Sequence, residues 1–209
     1  FMQDVIVSGP TRAYDGTSSV DLSAASFSET VTGITLTSGQ FSTANVGATI
    51  VGAYSATASE SVPAVLQRYD FEITGTITPK ALTATAVAAD KVYDGNRTAS
   101  SVLTLSGLIG TETLTTSGVG STFNDKDVAD ATTVTINSST LVDGTNGGLA
   151  SNYSLATGQT VAAAITAKAL TATAVAANKV YDGNATATST LTLSGLIGTE
   201  TLTTSGVGS

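Results

Sequence analysis

The chain has no cysteine, no histidine and no tryptophan, and only 11% of its 209 residues are charged. Without cysteine neither a disulfide framework nor a thiolate metal site can form, and cysteine usage leaves the redox compartment open. The commonest general base and the strongest side-chain nucleophile are both missing. No G-x-S-x-G, S-x-x-K or Walker-type G-x-x-x-x-G-K-[ST] stretch occurs. Catalysis and nucleotide binding therefore have no motif to stand on, and the chain reads as a non-enzyme without a cofactor. The five Lys and three Arg stand singly against sixteen carboxylates, for a formal net charge of −8. Nucleic acid and anionic lipid lack the basic patch they would need. The longest apolar runs, such as residues 161–165, fall far short of the roughly 18 to 20 residues of a membrane-spanning helix. The opening FMQDVIVSG has no basic segment, apolar stretch and small-residue cleavage site in sequence, so the expectation is a leader already removed or an internal fragment.

What is present is Thr, Ser, Ala and Gly around a 41% hydrophobic fraction, a composition that suits a β-rich secreted protein with enough apolar surface for a core. It is also repeated. Residues 79–121 and 167–209 differ at only five of 43 positions, namely Pro79/Ala167, Asp90/Asn178, Arg97/Ala185, Ser100/Thr188 and Val102/Thr190, and the offset of 88 never slips. A more divergent copy lies upstream, where Tyr14, Asp15 and Gly16 fall on the same motif as Tyr93, Asp94 and Gly95 and residues 41–47 answer to 123–129. The repeat frame is thus 1–79, 80–167 and 168–209, the last holding only the first half of a unit. On this frame the chain is expected to be a window on a longer polypeptide, with Leu191, Leu193 and Leu202 left facing water. A period of 88 is too long for a solenoid coil, so each unit is expected to be a domain with its own core. The joints ITPKAL (77–82) and ITAKAL (165–170) are short, which favours an extended rod.

Within a unit, ALTATAVAA (81–89), VLTLSG (102–107), TETLTTSG (111–118) and TTVTI (132–136) alternate apolar and hydroxyl residues between glycines. That is strand periodicity, and abundant Thr and Val oppose helix. The expected fold is all-β, as tandem β-sandwich-like repeats of the Ig-like or β-grasp-like kind.

The motif KVYDGN recurs at 91–96 and 179–184. Asp-Gly signals a tight turn with positive φ closing a strand, and the Tyr93 ring is expected to bury at the strand end with its hydroxyl on a partner or water. Tyr14-Asp15-Gly16, Tyr93-Asp94-Gly95 and Tyr181-Asp182-Gly183 are accordingly read as structural turns. The functional alternative is a carboxylate–tyrosine site at Asp94 and Tyr93, recurring at Asp182 and Tyr181. Asp125, Asp127 and Asp130 offer oxygens to Ca²⁺, but no twelve-residue Gly-centred loop or distal Glu accompanies them, which favours a solvated acidic turn. Asn96, Asn137, Asn152 and Asn184 open N-x-[ST] patterns of the kind chance produces in a Ser/Thr-rich chain. Lys80 or Lys91 with Asn152 would be the reactants of an intramolecular isopeptide bond, an arrangement the sequence permits and does not demand.

KVYDGN (91–96), FNDKDVADATTVTI (123–136) and LASNYSL (149–155) together resemble the YDG domain, a repeat of very large secreted bacterial adhesins of the filamentous-haemagglutinin or two-partner-secreted kind, where it neighbours the related MBG repeat. The resemblance covers nearly all of 80–209 and, more loosely, 1–79, where FSTANVGATIVGAY replaces the acidic segment. It implies an extracellular stalk or filament segment, at the cell surface or in a biofilm matrix, that holds a distal binding region away from the cell. The implied partners are neighbouring repeats of the same adhesin, with extracellular polysaccharide or a host or cell-surface ligand further out. The alternative is a repeated glycan- or protein-binding module acting by avidity.

Overall fold

A computed structural model of the chain describes residues 3–28, 34–58 and 69–205. The strands are β1 (Gln3–Ala13), β2 (Ser19–Asp21), β3 (Ser26–Phe27), β4 (Ile34–Phe41), β5 (Ile50–Ala58), β6 (Tyr69–Thr78), β7 (Lys80–Ala88), β8 (Lys91–Val92), β9 (Thr98–Ala99), β10 (Ser101–Ser106), β11 (Leu114–Phe123), β12 (Thr133–Asp143), β13 (Tyr153–Leu155), β14 (Thr160–Ala162), β15 (Ile165–Thr166), β16 (Thr171–Ala176) and β17 (Ser189–Ser194). A single 3-10 turn, Ala150–Asn152, precedes β13, and no α-helix is present among the described residues. The fold is all-β, sandwich-like and built of several small sheets.

The alternation read from the sequence sets which face is buried. In β1, Val5 and Val7 are wholly buried while Ile6 between them is 48% exposed, and in β12 Val134 and Ile136 are buried on either side of Thr135. A strand turns successive side chains to opposite faces, so this pattern leaves one register for each strand.

Packing divides the chain into two compact units. The first takes the described residues up to Thr85 together with Leu103–Gly118 and Ser139–Thr157; the second takes Ala86–Val102, Val119–Ser138 and the described residues from Gly158 on. These units are offset from the sequence repeats at 79/80 and 167/168, and each draws on two successive repeats. The first unit contains the sheets β3-β1-β6 and β2-β4-β5, whose inner faces share a core of Val5, Val7, Val20, Leu36 and Ile77, and the same core takes in Leu82, Leu114 and Tyr153 from the second repeat. The second unit has a smaller core of Phe123, Ala131, Val134, Ala163 and Ile165, against which Tyr93 and Val161 pack. It also contains the hairpin of β16 and β17, paired from Thr171↔Ser194 to Ala176↔Ser189.

One parallel pairing recurs at equivalent places in the first two repeats. In the first repeat β1 runs parallel to β6, with Arg12 opposite Ile77 and Ala13 opposite Thr78. In the second, β8 runs parallel to β15, with Lys91 opposite Ile165 and Val92 opposite Thr166. The strand that leads into the Tyr-Asp-Gly motif therefore lies beside the strand that ends the same repeat.

Candidate functional site: the Tyr-Asp-Gly turn and its partner loop

The motif's residues form the same turn three times. Gly16, Gly95 and Gly183 sit at φ of 79°, 79° and 81°, in the left-handed region that a side chain rarely tolerates. Lys91 Nζ closes the second turn by donating to Asp94 Oδ1 (2.7 Å), to the Asn96 carbonyl (2.8 Å) and to Asn96 Oδ1 (3.0 Å). Lys179 repeats this with Asp182 Oδ1 (2.7 Å) and with the carbonyl and Oδ1 of Asn184 (2.9 and 2.7 Å). In the first repeat Arg12 takes the place of the lysine, pairing with Asp15 and donating to the Thr17 carbonyl. The lysine contact holds the Asp94 and Asp182 carboxyls below their ordinary range. At Asp15 burial pushes the other way, but hydrogen bonds from Arg12 and Thr17 outweigh it and the carboxyl is again lowered.

Each of the first two turns meets a loop of the following repeat. The Tyr14 hydroxyl donates to Glu112 Oε1 (2.6 Å), and the Tyr93 hydroxyl donates to Glu200 Oε1. Glu112 and Glu200 stand 88 residues apart on equivalent turns, closed by Glu112 N–H to the Ile109 carbonyl (3.0 Å) and Glu200 N–H to the Ile197 carbonyl (3.1 Å). The isoleucine of that loop lies against the glycine of the motif. A Cβ on Gly16 would come within 3.0 Å of Ile109 Cγ2, and one on Gly95 within 3.0 Å of Ile197 Cγ2. The glycine thus serves twice, by adopting positive φ and by leaving room for the loop.

In the first unit a third element completes the contact. Asn152 and Tyr153 arrive on the 3-10 turn and β13, which pairs in parallel with β7 at Tyr153↔Lys80 and Leu155↔Leu82. The Tyr153 hydroxyl donates to Glu112 Oε2 and accepts from Ile109 N–H (3.1 Å). Its ring meets that of Tyr14 edge-on, with centroids 5.3 Å apart. Asn152 is wholly buried, and both ends of its amide are engaged: Val46 N–H donates to Oδ1 (2.9 Å) and Nδ2 donates to Asn45 Oδ1 (2.9 Å). Burial, followed by the bond to Glu112 and its charge, pushes the Tyr14 hydroxyl from its ordinary 10.0 up to about 12. Tyr153 is raised for the same leading reasons. Tyr93 is raised chiefly by its bond to Glu200.

The other candidate residues lie elsewhere. Asp125, Asp127 and Asp130 belong to an exposed turn, in which Asp125 Oδ1 accepts from Asp127 N–H (2.9 Å) and Lys126 pairs with Asp127 Oδ1 (2.7 Å). Among the described residues no group of three or more His, Cys, Asp or Glu is placed to hold a metal ion. Asn152 has its amide bonded to Val46 and Asn45, and Lys80 is paired with the neighbouring Tyr153. Lys91 is committed to its own turn. The sequence reading did not single out Glu112, Glu200 or Asn45. Glu112 recurs as Glu200, but so does nearly every residue around it, and recurrence does not mark it.

Residues 78–161 match the YDG domain family, so a YDG domain occupies this part of the chain. No curated protein and no solved structure matches the chain.

Proposed function

We propose that the chain is a load-bearing segment of an extracellular stalk or filament, of the kind found in secreted bacterial adhesins or a biofilm matrix, in which successive repeats are joined by their Tyr-Asp-Gly turns and hold a distal binding region away from the cell. The observation that carries this reading is the recurring parallel pairing of each repeat's leading strand with its closing strand, at Arg12↔Ile77 and again at Lys91↔Ile165. Parallel neighbours that leave in opposite directions under tension slide along each other, so their ladder bonds are loaded together and do not open one after another. The backbone bond that follows each pairing, Tyr14 N–H to the Thr78 carbonyl (2.9 Å) and Tyr93 N–H to the Thr166 carbonyl (2.8 Å), adds to the same ladder just before the turn. The loop of the next repeat then grips the tyrosine that ends the strand.

Pulling single molecules through their two ends tests this. The stalk reading expects abrupt, cooperative ruptures at forces typical of sheared strand pairs. Smooth extension, or ruptures at the low force of strands peeling apart, would contradict it. The avidity reading makes a different demand: specific retention on a glycan array that strengthens with the number of repeats. The stalk reading expects none from these residues.

A further inference from the structure

The second unit contains an open cavity of about 450 Å³ beside the second turn, lined by Tyr93, Asp127, Val128, Leu170, Ile197 and Glu200 among others. Each of these has a counterpart in the first unit: Tyr14, Asn45, Val46, Leu82, Ile109 and Glu112. Those counterparts surround Asn152, Tyr153 and Leu155. Glu112 and Ile109 hold the Tyr153 hydroxyl, Asn45 and Val46 hold the Asn152 amide, and Leu82 is paired with Leu155. The burial of repeated leucines follows the same division. Leu114, in the core that includes Tyr153, is 8% exposed, whereas its repeat counterpart Leu202, which lines the cavity, is 61% exposed.

We infer that this cavity is a seat for an extended Asn-Tyr-x-Leu strand of a YDG repeat, of the type formed here by residues 152–155. The strand would add in parallel beside residues 168–170, which lead into β16, as β13 adds beside β7, with main-chain pairing for affinity and pockets for alternate side chains. Its tyrosine hydroxyl donates to Glu200 and accepts from Ile197 N–H. Its asparagine takes Val128 N–H on the carbonyl side and donates on the amide side to Asp127, where a carboxylate replaces the Asn45 carboxamide. Its leucine covers Leu170 and Leu202. The seat is preformed on its tyrosine side, because Tyr93 already holds Glu200.

This inference rests on the reading that successive repeats complete one another, and its test is separate from the pulling experiment. The full chain, labelled for amide NMR, is titrated with a synthetic peptide of residues 148–157. Saturable shifts at Val128, Leu170, Ile197 and Leu202 are expected, with Asn45, Val46 and Ile109 unmoved. Replacing Tyr153 by Ala in the peptide, which removes ring and hydroxyl together, should weaken binding more than tenfold, and Glu200→Gln in the chain roughly tenfold, the usual worth of a hydrogen bond to a charged group. No saturable shift up to millimolar peptide would overturn the proposal, as would equal binding by the peptide lacking Tyr153. Uptake of the apolar dye ANS at the cavity with no response to the peptide would also overturn it, marking a non-specific apolar surface. A chain that ruptures cooperatively under force yet ignores the peptide would be a stalk without this seat.

Discussion

At the scale of single residues, the motif's glycine and tyrosine carry separable costs. Gly95→Val puts a β-branched side chain at φ 79° and against Ile197, and should cost a few kcal/mol in urea denaturation, from strain and displacement together. Gly183→Val meets the same strain at φ 81° but nothing within 4 Å of its Cβ, so its loss should be clearly smaller. Equal losses at the two sites would mean that the loop's close approach to Gly95 has no energetic weight. Tyr14 sets a pH dependence. Because folding raises its hydroxyl from 10.0 to about 12, its contribution is complete below pH 10 and is lost as pH rises through 12. Melting temperature followed from pH 9 to 12 should fall steeply at the upper end, and Tyr14→Phe should flatten that fall; an unchanged slope in the variant would remove Tyr14 as its source. The turns themselves were legible in the sequence, because Asp-Gly dictates backbone conformation locally. Their partner was not, since Glu112 lies 98 residues from Tyr14 and meets it only through tertiary packing.

Among the elements, the strands follow from alternation wherever one face is buried, as at Val5 and Val7 or Val134 and Ile136. Pairing does not follow from it. Nothing in the local pattern of residues 91–92 or 165–166 says that β8 and β15 run parallel, because that choice depends on where the intervening chain returns. The acidic segment at 123–131 combines two roles. Phe123 and Ala131 are buried in the second core while the aspartates between them are solvated or bonded within the turn. Phe123→Ala should therefore destabilise the second unit by about 3–5 kcal/mol, as deletion of a fully buried aromatic does, whereas Asp125→Ala should stay within about 1 kcal/mol. Denaturant titration of both variants separates them, and a large loss from Asp125→Ala would restore a coordinating role to the segment. The melting temperature should also be unaffected by EDTA. A drop of several degrees on chelation would reinstate a metal at Asp125, Asp127 and Asp130.

For the molecule as a whole, the period of 88 was plain in the sequence but the packing units were not. Sequence similarity marks where a unit of inheritance begins, and burial marks where side chains meet; here the first core joins Val5, Phe41 and Ile77 of one repeat to Leu82, Leu114 and Tyr153 of the next. The central claim is that repeats are coupled through the Tyr-Asp-Gly turn and the glutamate loop that follows one repeat later. A double-mutant cycle on Tyr14→Phe and Glu112→Gln, read by urea unfolding of the full chain, tests it most directly, because Tyr14 is buried, Glu112 is partly buried and the two come from different repeats. A coupling energy of about 1–3 kcal/mol is expected for a hydrogen bond to a partly buried carboxylate. Losses that simply add, with coupling within about 0.3 kcal/mol of zero, would show that the two repeats do not lean on each other at this turn and would contradict the account.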